Sequence, residues 1–423
     1  MKMLRPSVSA IVLLVFFAQG SFATDLITLQ KTAVENREIV EQFQAKLEKI
    51  QEEQTVAKSG YLPSFDLSYT LNRLDESTAF ENEENSVAYG AVTWNLFRGF
   101  KDRYTIASAR LQRDAEELKL SGIKQDIYLS VALRYVEIFS RKASLRLQED
   151  THNTLLKSYE DASSRFDVGL IDKNELLRFK VDLDNAKISL KKAEADLAKS
   201  AQNLRRAVDR KISIDELTFS EFDLLPHVEP YEQLERAMLE KRSEIRVLEE
   251  LAAAADLQVK ASYAAYYPKV DATTSYRRYD DDYQSMNGST ASEEVRGQLV
   301  MSLNIFDGFK KRSTVRKSKL DSRIIQYDLA EMKQDLKTEL TNLLLDYDVN
   351  VENAAVALSS IEQAQENLRI TDLKYKEGLE TETDLLDAIA KLSRAKFNHI
   401  FATFEVFKNY YQITRAVEGF AVP

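Results

Sequence analysis

Asp384 and Asp387 stand three residues apart just beyond a Gly-Leu pair, so on a helix they share one face. Two carboxylates so placed can attract a cation, or match the positive end of the helix dipole in its first turn. Three copies around one axis would set six carboxylates into a ring, a cation-selective constriction. Capping and a cation-selective ring of Asp384 and Asp387 both remain open at this level. Catalysis has less to work with. His152, His227 and His399 are the only histidines, and no two have the helical spacing of metal ligands. No phosphate loop, Gly-x-Ser-x-Gly elbow or dinucleotide fingerprint occurs. The absence of cysteine removes thiolate nucleophiles, thiolate metal sites, disulfides and an N-terminal lipid anchor together. No constellation with assignable roles can be built, so the expectation is no enzyme, no cofactor and no metal.

The elements that must position the aspartates form a repeat. Arg165-Phe166-Asp167-Val168-Gly169-Leu170, followed by Glu175-Leu176-Leu177, returns as Lys374-Tyr375-Lys376-Glu377-Gly378-Leu379, followed by Asp384-Leu385-Leu386, with corresponding residues 209 apart. Each stretch breaks one helical pattern and starts another. Glycine suits a tight reversal because it enters the left-handed region without a Cβ clash. The counterparts of Asp384 and Asp387 are Glu175 and Arg178, so the second carboxylate belongs to one repeat only. The same offset joins Asn95-Leu96-Phe97-Arg98-Gly99-Phe100-Lys101 to Asn304-Ile305-Phe306-Asp307-Gly308-Phe309-Lys310, and Arg206-Ala207-Val208 to Arg415-Ala416-Val417. Tyr61-Leu62-Pro63 also recurs, as Tyr266-Tyr267-Pro268.

Residues 64–225 and 269–422 lack proline. Leu336, Leu340, Leu343, Tyr347, Val351, Ala354, Leu358 and Ile361 keep spacings of three and four, as do Ile123, Ile127, Val131, Tyr135 and Ile138. Such stripes bury one narrow face against partner helices. A helix from Lys101 to Phe166 would be about 100 Å long at 1.5 Å per residue, far beyond a compact domain. By itself this describes a soluble coiled-coil scaffold or adaptor as well as anything else.

The strands point elsewhere. Phe65, Leu67, Tyr69 and Leu71 alternate with Asp66, Ser68, Thr70 and Asn72, and Ala88 to Leu96 returns with the same period. Val270 to Tyr276 and Val295 to Ile305 repeat the pattern. Alternation over about ten residues is that of a membrane β-strand, apolar to lipid and polar to lumen. The joining loops, Asp75–Asn85 and Asp280–Glu294, are acidic and polar. Four strands cannot close a barrel, and open edges are not tolerated in lipid. Spanning strands would therefore require a barrel shared between chains in a ring. Trp94, Leu96, Leu299, Met301 and Leu303 separate the two readings, facing lipid in one and buried in a soluble sheet in the other.

The 423 residues are 44% hydrophobic and 30% charged, a composition for a large folded protein. Lys2 and Arg5, the apolar run Val8–Ala18 and Ser21-Phe22-Ala23 predict a signal peptide over residues 1–23. Its removal would take the formal charge from −10 to −12, an acidic exported chain ill suited to nucleic acid. The expected division is a first repeat over 24–208, with its hairpin near 64–97 and tip near 167–172. A connector at 209–235 follows, with short pieces packed about the middle of the helices. The second repeat would take 236–423, with its hairpin near 269–306 and tip near 376–381. Val417–Pro423 shows no comparable pattern.

In these motifs, their order and their two-fold repetition, the chain resembles the TolC family of outer-membrane efflux and secretion channels over essentially its whole mature length. The resemblance implies a mainly α protein with transmembrane β: a homotrimer whose twelve-stranded β-barrel, in outer-membrane lipid, continues as a long α-helical barrel through the periplasm. It implies the duct of a tripartite export system, in type I protein secretion or multidrug efflux. The partners would be a periplasmic adaptor (membrane fusion) protein and an inner-membrane transporter. By the same resemblance Asp384 and Asp387 form the gate ring. Val168, Gly169, Leu170, Gly378 and Leu379 are the adaptor-docking tip, and Tyr375 and Glu175 belong to the tip latch. Family members can carry an arginine two residues after the second tip glycine; here Glu380 stands there, so the closed tip must use other contacts.

Overall fold

The computed structural model describes residues 24–78, 81–280 and 292–420. The signal peptide expected over 1–23 and most of the second outer loop lie outside the described residues. The first half runs through α1 (Leu26–Asn36), α2 (Glu38–Ser59), β1 (Ser64–Arg73), β2 (Glu84–Arg98), α3 (Lys101–Asp167) and α4 (Lys173–Val208). The second runs through α5 (Tyr231–Lys241), α6 (Ser243–Ser262), β3 (Lys269–Asp280), β4 (Ser292–Ser302), α7 (Lys310–Lys376) and α8 (Glu382–Ala416). Helices α3 and α7 are 67 residues each, or about 100 Å at the α-helical rise.

The strands form one antiparallel sheet in the order β1-β2-β3-β4. Its register decides which side chains share a face. Phe65 pairs with Val92, Leu67 with Gly90 and Tyr69 with Ala88. Trp94 then pairs with Ala272, and Gly90 with Tyr276. Ala272 continues to Leu299, and Val270 to Met301. Directly paired residues point the same way, so the apolar positions of all four strands lie on one face. That face is bare: Leu67 is 77% exposed and Leu299 and Met301 are 69% exposed. Among the described residues, the three buried apolar clusters contain no sheet residue. Trp94, Leu96 and Leu303 are exposed too, so the five discriminating residues bury nothing in a soluble core.

β2 carries a bulge between Asn95 and Phe97, which leaves Leu96 unpaired and turns Phe97 to the face of Val270. β4 ends at Ser302, three residues short of the alternation that reaches Ile305. β3 begins at Lys269, which pairs with Ser302, so no strand remains opposite Leu303–Ile305. After each hairpin the chain turns sharply into a long helix through two successive left-handed residues, Gly99-Phe100 and Gly308-Phe309. Gly99 is also pressed against the chain: a Cβ there would lie 2.7 Å from the Ala264 carbonyl oxygen. Asn95 Nδ2 ties this corner together, donating to the Gly60 carbonyl at 3.1 Å and to Asp102 Oδ2 at 2.9 Å.

The helices bury their stripes at three levels along the rod. One cluster packs α1, α3, the end of α4 and the connector around Tyr135, Val136 and Leu204. A second joins α5, α6, α7 and α8 around Met238, Ile245 and Leu340. A third lies at the tips. The connector contributes Phe219 and Phe222, which pack on Tyr135 and Phe139. Helix α5 starts at Tyr231, inside the segment read as connector.

The tail does more than its sequence pattern suggests. Arg415, 4% exposed, donates to Asp126 at 2.7 Å, Glu244 at 2.8 Å and Glu418 at 3.0 Å. Glu418 Oε1 also accepts from Ser243 N and Oγ, and the Phe420 carbonyl accepts from Gln125. This polar hub joins α3, α6, α8 and the tail.

Candidate functional site

Both tips are built the same way. The Leu170 N–H donates to the Arg165 carbonyl at 2.9 Å and Gly169 to Phe166 at 2.9 Å. In the second copy Leu379 donates to Lys374 at 2.8 Å and Gly378 to Tyr375 at 3.1 Å. This is the paired bonding of a glycine-terminated helix, with Gly169 and Gly378 at φ 77° and 73°. A Cβ at either would meet nothing within 4 Å, so the demand for glycine is conformational rather than steric. Val168, Leu170 and Leu379 project from the reversal and are exposed.

The next helices start on side-chain caps. Asp172 accepts from the Glu175 N–H at 2.9 Å. Thr381 and Asp384 cap each other: the Asp384 N–H donates to Thr381 Oγ1 at 3.3 Å, while Asp384 Oδ2 accepts from Thr381 N at 3.0 Å and Thr381 Oγ1 at 2.5 Å. The hydroxyl donor, then the backbone donor, holds the Asp384 carboxyl below its ordinary value. Asp387, one turn on, is 57% exposed and pairs with Lys391 at 2.7 Å. The two aspartates share a helix but not an environment.

Glu175 occupies the place in the first copy that Asp384 holds in the second, yet it does not cap. Instead Glu175 Oε1 accepts from the Tyr375 hydroxyl at 2.8 Å. The tyrosine ring packs on fully buried Phe179, centroids 6.0 Å apart. The Arg165 guanidinium lies 5.0 Å from the same ring, and its Nη2 donates to the Lys376 carbonyl at 3.3 Å. Burial first, and Glu175 second, push the Tyr375 hydroxyl well above the ordinary tyrosine value, so it remains a donor.

Glu380 turns back onto its own tip, pairing with Lys374 at 3.0 Å. Besides Arg165, a second arginine crosses between the copies, Arg178. Its Nη1 donates to the Glu382 carboxylate and, at 2.7 Å, to Thr383 Oγ1. Leu177, Arg178, Val181, Leu386 and Asp387 line an open groove between α4 and α8. The sequence names Arg178 only as the counterpart of Asp387 and gives Glu382 and Thr383 no role. The available signal was the repeat itself, since Arg178 is the positive counterpart of Asp387.

Four helices of two copies thus meet at one end of a rod whose other end is a sheet with one apolar face. Residues 29–209 and 234–417 match the family described as outer membrane efflux protein. The chain belongs to that family. It is an outer-membrane efflux channel protein, with its helices extending into the periplasm. Its sequence is 23% identical to nodulation protein T of Rhizobium leguminosarum bv. viciae over 384 residues, 87% of this chain and 77% of that one. Its fold superposes on the outer-membrane channel OprN with a TM-score of 0.81 at 17% identity, covering 93% of this chain and 90% of that one. It matches a membrane protein from Pseudomonas aeruginosa at a TM-score of 0.80 and 16% identity, covering 93% of each. Membership explains why the channel's sheet exposes its apolar face: lipid, not protein, covers it.

Proposed function

We propose that three copies of this chain close a twelve-stranded barrel and a continuous helical duct, and that the four-helix tip is its gate. The observation that carries this is the sheet: four strands, one shared apolar face and two free edges, on β1 and β4. A free edge in lipid leaves backbone groups unpaired, so β4 of one copy must pair with β1 of the next until the ring closes. Twelve strands leave a lumen where eight would be filled by side chains.

In this reading the closed tip is held by three links across the repeats, Tyr375 to Glu175, Arg165 to the Lys376 carbonyl, and Arg178 to Glu382 and Thr383. Glu380 takes no part in the cross-link, because Lys374 occupies it. Exposed Val168, Leu170 and Leu379, on the reversals made by Gly169 and Gly378, offer an apolar point for a periplasmic adaptor. Asp387, with Asp384 behind it in the cap, gives the lumen its negative ring. The duct works passively: an inner-membrane transporter supplies energy, and its docking shifts the tip helices between two packings. Cargo passes outward as in type I secretion or multidrug efflux.

The test is the mass of the full chain in mild detergent, by light scattering with bound detergent subtracted. Three chains per particle are expected. A monomer would overturn the shared barrel, and a dimer its twelve strands.

A further inference from the structure

The chain is acidic as a whole, yet the start of each long helix is not. Residues 310–319 carry Lys310, Lys311, Arg312, Arg316, Lys317 and Lys319 and no acid. The positive end of a helix dipole disfavours cations there, so something else must favour them. The repeat makes the pattern firmer. Lys101, Arg103 and Arg110 of α3 correspond at the same 209-residue offset to Lys310, Arg312 and Lys319 of α7. All six are exposed, and among the described residues none has an ion-pair partner. All lie within ten residues of a helix start, about 15 Å along the axis.

Their neighbours indicate which surface they border. Phe97 stands on the apolar face of the sheet, paired with Val270. Its ring meets Phe100 edge-on at 5.1 Å, and Phe100 meets Tyr267 at 5.9 Å. Trp94, on the same face, donates its indole N–H to the Tyr61 carbonyl at 3.0 Å. In the second copy Phe306 meets Phe309 at 5.5 Å, and both are exposed. An aromatic rim is therefore continuous with the lipid-facing surface, at the depth where aromatic side chains anchor to a membrane interface. The cations follow immediately below it.

We propose that Arg103, Arg110, Arg312 and Lys319, with Lys101 and Lys310, form a collar that binds the anionic phospholipid headgroups of the inner leaflet of the outer membrane. Arg103 and Arg312 sit at headgroup depth. Arg110 and Lys319 lie within about one Debye length below, where a negative surface still attracts a flexible cation. Lipid so held fixes the depth of the channel and keeps the helical barrel upright beneath it. The inference rests on the channel reading, which places the apolar face in lipid.

The test reconstitutes the full chain into vesicles of phosphatidylethanolamine with a minor fraction of phosphatidylglycerol. The protein is then extracted in mild detergent and its retained phospholipid is measured by mass spectrometry. Wild type should be enriched in phosphatidylglycerol over the vesicle ratio. Arg103→Gln/Arg110→Gln/Arg312→Gln/Lys319→Gln should lose that enrichment, by about tenfold or more for four cations. The charge-keeping variant Arg103→Lys/Arg110→Lys/Arg312→Lys should retain it. No enrichment in wild type, or equal enrichment in the neutral variant, overturns the proposal. Planar-bilayer recording adds a second arm, because cations lining the lumen would set ion selectivity. An unchanged reversal potential in the neutral variant is expected, and a shift toward cation selectivity overturns the lipid assignment. Failure of the channel reading looks different, since wild type would then give no conductance at all.

Discussion

The Tyr375 hydroxyl donates to Glu175 at 2.8 Å across 200 residues of chain, tying the end of α7 to the first turn of α4. Tyr375→Phe keeps the ring against Phe179 and removes only this bond. A hydrogen bond to a charged group contributes about 1.5 kcal/mol, roughly a tenfold shift toward the open tip. Single-channel recording should show that rise in open probability, and unchanged gating would remove Tyr375 from the latch. The contact also has a pH dependence. The folded tip keeps the tyrosine proton after an unfolded chain has lost it, so its contribution is complete below about pH 10 and fades as pH rises further. Opening in wild type should increase only in that alkaline range, and Tyr375→Phe should not share the increase.

Arg178 is exposed enough that its bond to Glu382 is partly screened, so its test is a swap rather than a magnitude. Arg178→Glu should repel Glu382 and loosen α4 from α8, raising basal conductance. Arg178→Glu with Glu382→Arg should restore the closed level. A double variant as leaky as the single one would show that the pair does not hold the tip.

The aspartates should separate in their effects. Asp384→Ala with Asp387→Ala should weaken block of the pore by multivalent cations, and unchanged block in a bilayer recording would refute the gate ring. Thr381→Ala removes the cap partner of Asp384 at a cost of about 1 kcal/mol to α8, which should appear as faster amide exchange at the start of that helix. Because capping holds the Asp384 carboxyl low, its contribution persists above the ordinary aspartate value and is lost as pH falls through the depressed one. The cap that starts α8 should therefore survive mild acid.

Arg415→Ala leaves Glu418 buried beside Glu244 with no cation from α8, a loss of about 3 kcal/mol. Arg415→Met, which fills the space, should still fold poorly because Glu418 loses its cation while Glu244 keeps only Arg242. At Glu244 burial alone would raise the carboxyl, but Arg242 and Arg415 outweigh it and hold it below the ordinary value. The hub thus contributes at neutral pH and weakens as pH falls through that depressed value. Thermal melting in detergent against pH would show a lower midpoint in acid, with a smaller slope in Arg415→Ala.

The two tips were legible because glycine and its flanking residues fix their own backbone, whatever else is nearby. The hub was not. Val417–Pro423 has no periodicity, and nothing in Glu418 itself announces that it meets Ser243, 175 residues earlier. Arg178 was hidden for the same reason: its partners lie on another helix, and only the crossing of α4 and α8 makes them neighbours. The strand ends also escaped, since alternation ran on to Ile305 while the ladder stopped where β3 began.

What the sequence settled is what depends on neighbours along the chain: the duplication, the length of the helices, the alternation of the strands and the glycine reversals. These follow from backbone preference and side-chain period, both short-range. What only the tertiary structure decided is which of two matched acids caps and which reaches across. Glu175 and Asp384 occupy equivalent positions, but Tyr375 stands opposite one and Thr381 beneath the other. A carboxylate goes to the donor within its reach, and reach is set by packing.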